Sequence, residues 1–295
     1  MKNTVIICFG EILWDLLPTG KIAGGAPMNV AYQTNQLGMR SRMISRVGAD
    51  DLGKELQAFL QGKGVSTDLV QTDPHYPTGI VHVHLDEKGI PSYEIVQPAA
   101  WDHIELTEEM LNTVRGADAL VFGSLSCRAE NTKNTLLRLL EIAPLRVFDV
   151  NLREPFYTQS LIEELLPKAN IVKVNDLELG ILATWYGMVG DESEQMAALQ
   201  NKFGFDRIIV TKGEHGAACL SKAGYCTVPG VSVKVQDTIG SGDAFLSGFL
   251  NQFFAGASDQ ECLRFANALG ALTATKAGGT PNISQEEIRA FLATM

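Results

Sequence analysis

The sequence predicts an α/β fold: a mostly parallel central sheet covered by helices on both faces, with a small second sheet projecting from it. Three observations carry this. Short β-branched runs recur along the chain, helical patterns separate most of them, and one stretch breaks the rhythm with an alternating pattern that turns back on itself. Strand–helix alternation at this spacing gives parallel pairing, with a helix layer on each side. The 295 residues suffice for one large domain, and no repeat, low-complexity tract or linker divides them.

The expected strands are VIICF (5–9), ALVF (119–122), RVFDV (146–150), NIVKV (170–174) and RIIV (207–210), each short and apolar as a buried strand is. RSRMISR (40–46) alternates apolar and polar residues and predicts a strand with one solvated face. Helical patterns start at Asn29, Glu130 and Asp191, and a further helix is expected over about 52–61. The exception is TGIVHVHLDEKGIPSYEIV (78–96), where Ile80, His82 and His84 alternate with Val81, Val83 and Leu85 before a turn at DEKG. That is a hairpin. With ILWDLLPTG (12–20) it forms the projecting sheet, so lid strands are expected at about 12–20 and 78–97 of a single domain, 1–295. Its exposed edge is a candidate dimer contact. His82 and His84 lack a third ligand and read as solvent-facing or lid-packing residues.

Composition removes several function classes. Lys and Arg number 24 against 34 Asp and Glu, a net charge of −10, and no basic footprint for nucleic acid appears. The five cysteines are odd in number and contain no CxxC pair, which argues against a disulfide framework or a zinc site. The N-terminal apolar run is broken by Glu11 and Asp15 and reads as a strand, not a signal peptide. The longest uncharged apolar stretch, 244–258, contains Asn251 and Gln252 and is too short to span a bilayer. A soluble cytoplasmic protein without membrane or nucleic-acid partners is expected.

Ligands of such sheets lie beyond the carboxyl ends of the strands. GADDLGKE (48–55) matches GxxxxGK, but Glu55 stands where a Walker loop needs Ser or Thr, and Asp50 and Asp51 repel phosphate. DTIGSGDAF (237–245) is different. Apolar residues at Phe245, Leu246, Phe249, Leu250, Phe253 and Phe254 predict a helix beginning near 240–243. Gly240, Ser241 and Gly242 leave bare N–H groups at its N-terminus, an anion site reinforced by the helix dipole. Asp243 in that loop is either a proton acceptor for an attacking hydroxyl or an acid that merely complements the dipole. NDLE (175–178) lies just past a strand. It is either part of a metal site or a helix start with Asn175 as cap and Glu178 closing a capping box.

GGAPMNVA (24–31), NDLE, TKGEHG (211–216) and DTIGSGDAF occur in the order and spacing of the ribokinase-like, or PfkB-type, carbohydrate kinases, and the chain resembles that family over nearly its whole length. The resemblance implies a ribokinase-like three-layer sandwich and an ATP-dependent sugar kinase. Asp243 would be the catalytic base, with the N–H groups from Gly240 to Asp243 as anion hole. Asn175 and Glu178 would organise Mg²⁺ and its waters. Thr211, Gly213 and Gly216 would line the nucleotide, with Asn267 on the adenine side, and Asp237 would join the KAGGTPN segment in a K⁺ site. Asp15, Gly25 and Asn29 match the sugar-contact positions.

FDVNLREPFY (148–157) together with GEILWDLLP resembles the fructokinase branch, with Asn151 and Arg153 as substrate contacts. Arg153 would donate to a sugar hydroxyl or to a carboxylate, or else pair with a surface acid such as Glu154. A sugar-acid kinase of the 2-dehydro-3-deoxygluconate type, a ribokinase and a non-catalytic sensor on the same fold remain as alternatives. A nicotinamide-dependent dehydrogenase does not, because FGEILWD offers only Gly10 in place of GxGxxG.

Overall fold

The computed structural model describes residues 4–17, 20–85 and 91–294. Its strands are β1 (Val5–Phe9), β2 (Leu13–Leu17), β3 (Gly20–Gly24), β4 (Arg40–Gly48), β5 (Val70–Asp73), β6 (Gly79–Leu85), β7 (Pro91–Ile95), β8 (Ala119–Gly123), β9 (Arg146–Asp149), β10 (Ile171–Asn175), β11 (Arg207–Thr211), β12 (Ala217–Ser221) and β13 (Gly224–Val228). Its helices are α1 (Ala26–Gln36), α2 (Asp51–Gly62), α3 (Glu108–Arg115), α4 (Glu130–Leu140), α5 (Gln159–Leu165), α6 (Asp176–Trp185), α7 (Glu192–Phe203), α8 (Ser241–Phe254), α9 (Asp259–Ala274) and α10 (Gln285–Leu292).

Nine strands form the central sheet in the order β13-β12-β11-β10-β9-β8-β1-β4-β5. All its pairs are parallel except β11–β12 and β12–β13 at one edge, where short turns replace crossovers. Residues of β1 show why the sheet is covered twice. Ile6 and Cys8 enter a core with α1, α2, α8, α9 and α10, while Ile7 and Phe9 enter a second core with α3 to α7. Successive strand side chains point to opposite faces, so an unbroken apolar strand needs a helix layer on each. Each fully buried Leu or Phe side chain adds about 2–3 kcal/mol of favourable transfer energy.

The second sheet has the order β3-β2-β6-β7, with antiparallel β2–β3 and β6–β7 hairpins joined by a parallel β2–β6 pair. Val81 and Val83 are buried while Ile80 and His82 are half-buried, as the alternation predicts. The DEKG turn and the side chain of His84 lie outside the described residues. Two expectations need correction. The first lid segment extends beyond residue 20, because β3 runs on to Gly24. β4 is solvated only at its start, where Arg40 is exposed and Arg42 half-buried; further along, Arg46 is buried with its charge met by Asp73 at 2.7 Å and Glu105 at 3.0 Å.

The decoy loop has a structural role. Asp50 caps α2 through Gly53 N–H and also accepts from Thr78, so its carboxylate fastens the base of β6. Cys8, Cys127, Cys219 and Cys262 are buried and all five cysteines are free. Among the described residues no helix is long and apolar enough to cross a membrane, and no cluster of His, Cys, Asp or Glu forms a metal cage.

Candidate active site

Ser, Thr, Asp or Asn side chains cap α2, α3, α5, α6, α7, α9 and α10. α4 starts at Ala129 without a side-chain cap. α1 and α8 start at glycines, Gly25 and Gly240, also with no side-chain cap. Their first-turn N–H groups are therefore left for another acceptor. Gly240 has φ 74°, and a Cβ there would come within 2.5 Å of the Gly279 Cα. Positive φ and close backbone approach both require glycine at this position.

The start of α8 divides the site. On one side is a cavity of about 500 Å³ lined by Thr211, Gly213, Gly216, Ser241, Gly242 and Asn267, which the sequence places together correctly. The opposite wall is apolar, from Val231, Val233 and Val235 of the 229–236 loop and Phe245, Ala271 and Ala274. The sequence reading missed that loop. Its signal was the period-2 valines, which look like a strand but form none. Asn267 is held by donation to the Pro229 carbonyl at 2.7 Å, so it fixes this wall as well as lining it.

On the other side lies Asp243, 9% exposed, with its Oδ2 accepting from Asn29 Nδ2 at 2.8 Å. Burial pushes its pKa up to about 6 with help from the Asp149 carboxylate, while Asn29, Lys173 and Arg153 pull it down. Gly279 packs on the Asn29 amide; a Cβ there would lie 2.7 Å from Nδ2. Asp15 sits within β2, opposite Ile22 of β3 and Val81 of β6, so it belongs to the small sheet, inside the 12–20 segment expected for it. Burial raises it to about 6, opposed by Arg153.

Two ionisable residues escaped the sequence reading. Glu11, just beyond β1, is 2% exposed and raised by burial to about 7, with Arg153 again opposing. Lys173, in β10, places Nζ 2.8 and 2.9 Å from the two carboxylate oxygens of Asp149. Burial works against its charge, but Asp149 and Glu178 outweigh it and raise its pKa. A Cβ on Gly242 would be 3.5 Å from that ammonium, so Lys173 underlies the glycine loop. A lysine inside an apolar strand was the available signal.

Asn175 and Glu178 form the capping box of α6: Asn175 Oδ1 accepts from Glu178 N–H, and Glu178 Oε2 from Asn175 N–H, both at 2.8 Å. Glu178 Oε1 accepts from Leu152 N–H at 2.8 Å and so also pins the loop after β9. Both carboxylate oxygens already hold a donor, and only their second lone pairs remain. That arrangement suits a metal reached through retained water, as Mg²⁺ prefers, and not a closed protein cage.

Asp237 accepts from Ile239 and Gly278 N–H groups, which joins it to the segment after α9 as expected. Asn151 has φ 41°, a conformation asparagine tolerates, and turns the chain after β9. Arg153 makes no ion pair with Glu154 among the described residues. It is exposed, donates to the Leu152 carbonyl, and its field reaches Glu11, Asp15 and Asp243.

A model of the pfkB family carbohydrate kinases matches residues 15–286. The chain is 30% identical to a probable fructokinase-3 of Arabidopsis thaliana, over 99% of this chain and 92% of that protein. It is 31% identical to fructokinase-2 of Solanum habrochaites, over 95% and 93%. A fructokinase from Vibrio cholerae, solved with fructose, ADP and calcium, superposes with TM-score 0.85 at 26% identity over 98% of this chain and 99% of that one. A fructokinase from Xylella fastidiosa with bound ATP gives 0.86 at 25% identity over 99% of each.

Proposed function

The chain belongs to the pfkB family of carbohydrate kinases, and on that premise we propose that it is an ATP-dependent fructokinase with Asp243 as its proton acceptor. The observation that carries this is a buried carboxylate, oriented by Asn29, at the uncapped N-terminus of the helix that borders the cavity. ATP occupies the cavity with its adenine between the 229–236 loop and α9. A primary hydroxyl of the sugar gives its proton to Asp243 as its oxygen attacks the γ-phosphorus, and the bond to the β–γ bridging oxygen breaks. The N–H groups at the start of α8, with Lys173 beneath them, face the charge on the transferring group. Asn175 and Glu178 hold the waters of Mg²⁺, which, when bound, neutralises phosphate charge. Asp237 and the segment after α9 take K⁺.

The sugar lies between Asp15, Asn29, the backbone at Gly25, and the Asn151–Arg153 loop. A neutral ketose fits better than a sugar acid. Glu11, Asp15 and Asp243 surround the site, and Arg153 is their common cation. Glu11 Oε2 and Asn29 Oδ1 are buried and stand without donors among the described residues. The small sheet closes over the sugar and excludes water, its open edge offers a contact to a second copy, and the enzyme works in the cytoplasm.

The test is ADP release with ATP, Mg²⁺ and K⁺ over fructose, ribose, tagatose, nucleosides and 2-dehydro-3-deoxygluconate. Turnover confined to fructose supports the reading. Turnover on the sugar acid makes Arg153 a carboxylate clamp, and no ADP from any sugar sinks the kinase assignment.

A further inference from the structure

Arg128 touches neither the cavity nor Asp243, yet it joins the parts of the molecule that must meet around a sugar. It follows β8 and its side chain is only 3% exposed. Its Nε and Nη2 donate to the two carboxylate oxygens of Asp102 at 2.7 and 2.8 Å. Nη2 also donates to the Val96 carbonyl at 2.9 Å, immediately beyond β7. The guanidinium carbon lies 3.8 Å from the ring centroid of Trp101 and 4.8 Å from that of Phe156.

These contacts lead to two parts of the molecule, the small sheet and the Arg153 turn. Val96 N–H pairs with the Ile80 carbonyl, so the Val96 carbonyl is the root of the small sheet. Trp101 lies so close to Gly79, where β6 begins, that a Cβ on Gly79 would be 2.5 Å from the indole nitrogen. Phe156 donates its N–H to the Arg153 carbonyl at 2.7 Å, so Phe156 and Arg153 are the two ends of one tight turn. Ile95, Ala99, Trp101, Leu125 and Phe156 make an apolar cluster of their own, separate from the two cores. Arg128 supplies the hydrogen bonds and the flat cation at its centre.

We propose that Arg128 is a positioning residue that couples the small sheet to the Arg153 turn, so that closure over the sugar and placement of Arg153 occur together. This rests on the reading of Arg153 as a sugar contact. Only a planar, forked cation can pair Asp102 bidentately, reach Val96 and stack on two rings, and lysine cannot replace it.

The test uses the full chain and two variants, Arg128→Lys and Phe156→Leu. Phe156 is half-buried at the surface, so its replacement preserves the fold if Arg128→Lys does not. Hydrogen exchange is followed at amides of 79–85 and 91–96 and of 151–157, and steady-state constants are measured with fructose and ATP. The proposal expects faster exchange in both segments together. It also expects KM for fructose to rise about tenfold while KM for ATP stays within about twofold. Faster exchange in one segment alone, or equal change in both KM values, overturns it. If the wild-type protein does not phosphorylate fructose, the fructokinase reading falls while the exchange pattern still decides the coupling.

Discussion

Two sides of the α8 N-terminus are built from different material. The cavity wall mixes glycine, valine, alanine and Phe245 with polar side chains, among them Thr211, Glu214, His215, Ser241 and Asn267, and none of its ionisable groups is buried. Across the helix start, Glu11, Asp149, Lys173, Glu178 and Asp243 are all buried within reach of one another's fields. The first side binds by shape, and its groups act nearly independently. On the second, each charge sets the state of its neighbours, so a single change propagates. Substitutions on that side should therefore be more severe, and they should alter stability and turnover in different directions.

Asp243→Asn sharpens the contrast most. It should lower kcat by about 10²–10⁴-fold with ATP and sugar still bound, the range for removal of a general base. The same change should stabilise the fold at neutral pH. The Asp243 pKa is about 6 in the folded chain against 3.8 ordinarily, so the native state holds the proton more tightly than the unfolded state. Stability due to this group is thus full below pH 4 and lost as pH rises to 6, by about 3 kcal/mol from 1.36 kcal/mol per unit. Thermal melts of both proteins at pH 4 and pH 8 should show the variant's advantage only at pH 8. In the wild type, kcat/KM should fall about tenfold per unit below pH 6, as loss of an ionised base requires. A flat profile to pH 4.5 would remove Asp243 as proton acceptor.

Lys173→Met comes next, leaving Asp149 buried without its cation. A loss of about 3–5 kcal/mol is expected in urea unfolding at pH 7, as for breaking a buried pair. An unchanged midpoint would mean that the two sides of the helix do not differ as argued. Gly240→Ala should destabilise by about 1–3 kcal/mol, because φ 74° and the Gly279 contact both oppose a side chain. Val233→Ala, on the cavity wall, should have the smallest effect: KM for ATP up about fivefold at unchanged kcat, the equivalent of about one fully buried methylene, since Val233 is only half-buried. If it matched Lys173→Met in stability, the shape-binding side would be as coupled as the charged one.

The same division governs how far the sequence could be read. Periodicity revealed β1, β8 to β11, α1, α2, α4, α7 and α8, because burial on a regular element leaves a repeating signature. The glycine loop and the cavity residues Thr211, Gly213, Gly216 and Asn267 were legible for a related reason: local chemistry at strand ends and helix starts is written in adjacent residues. The solvated face expected for 40–46 holds only at Arg40 and, in part, Arg42, because alternation cannot distinguish a polar residue facing water from Arg46 facing Asp73. Glu11 and Lys173 were missed because their significance arises from partners on other strands. Glu178 was read as a metal residue or a cap; it closes the capping box and also reaches a third segment, Leu152, through its other oxygen. No local pattern encodes that reach.

The hydrogen bond between Asn29 and Asp243 spans 214 positions of sequence. Its consequence belongs to the order of synthesis. Contacts so distant along the chain form late, after the intervening loop has been closed. A ribosome that has made α1 has not yet made Asp243. The nascent chain therefore passes through most of its elongation with Asn29 lacking this partner, and the contact becomes available only once α8 has been made.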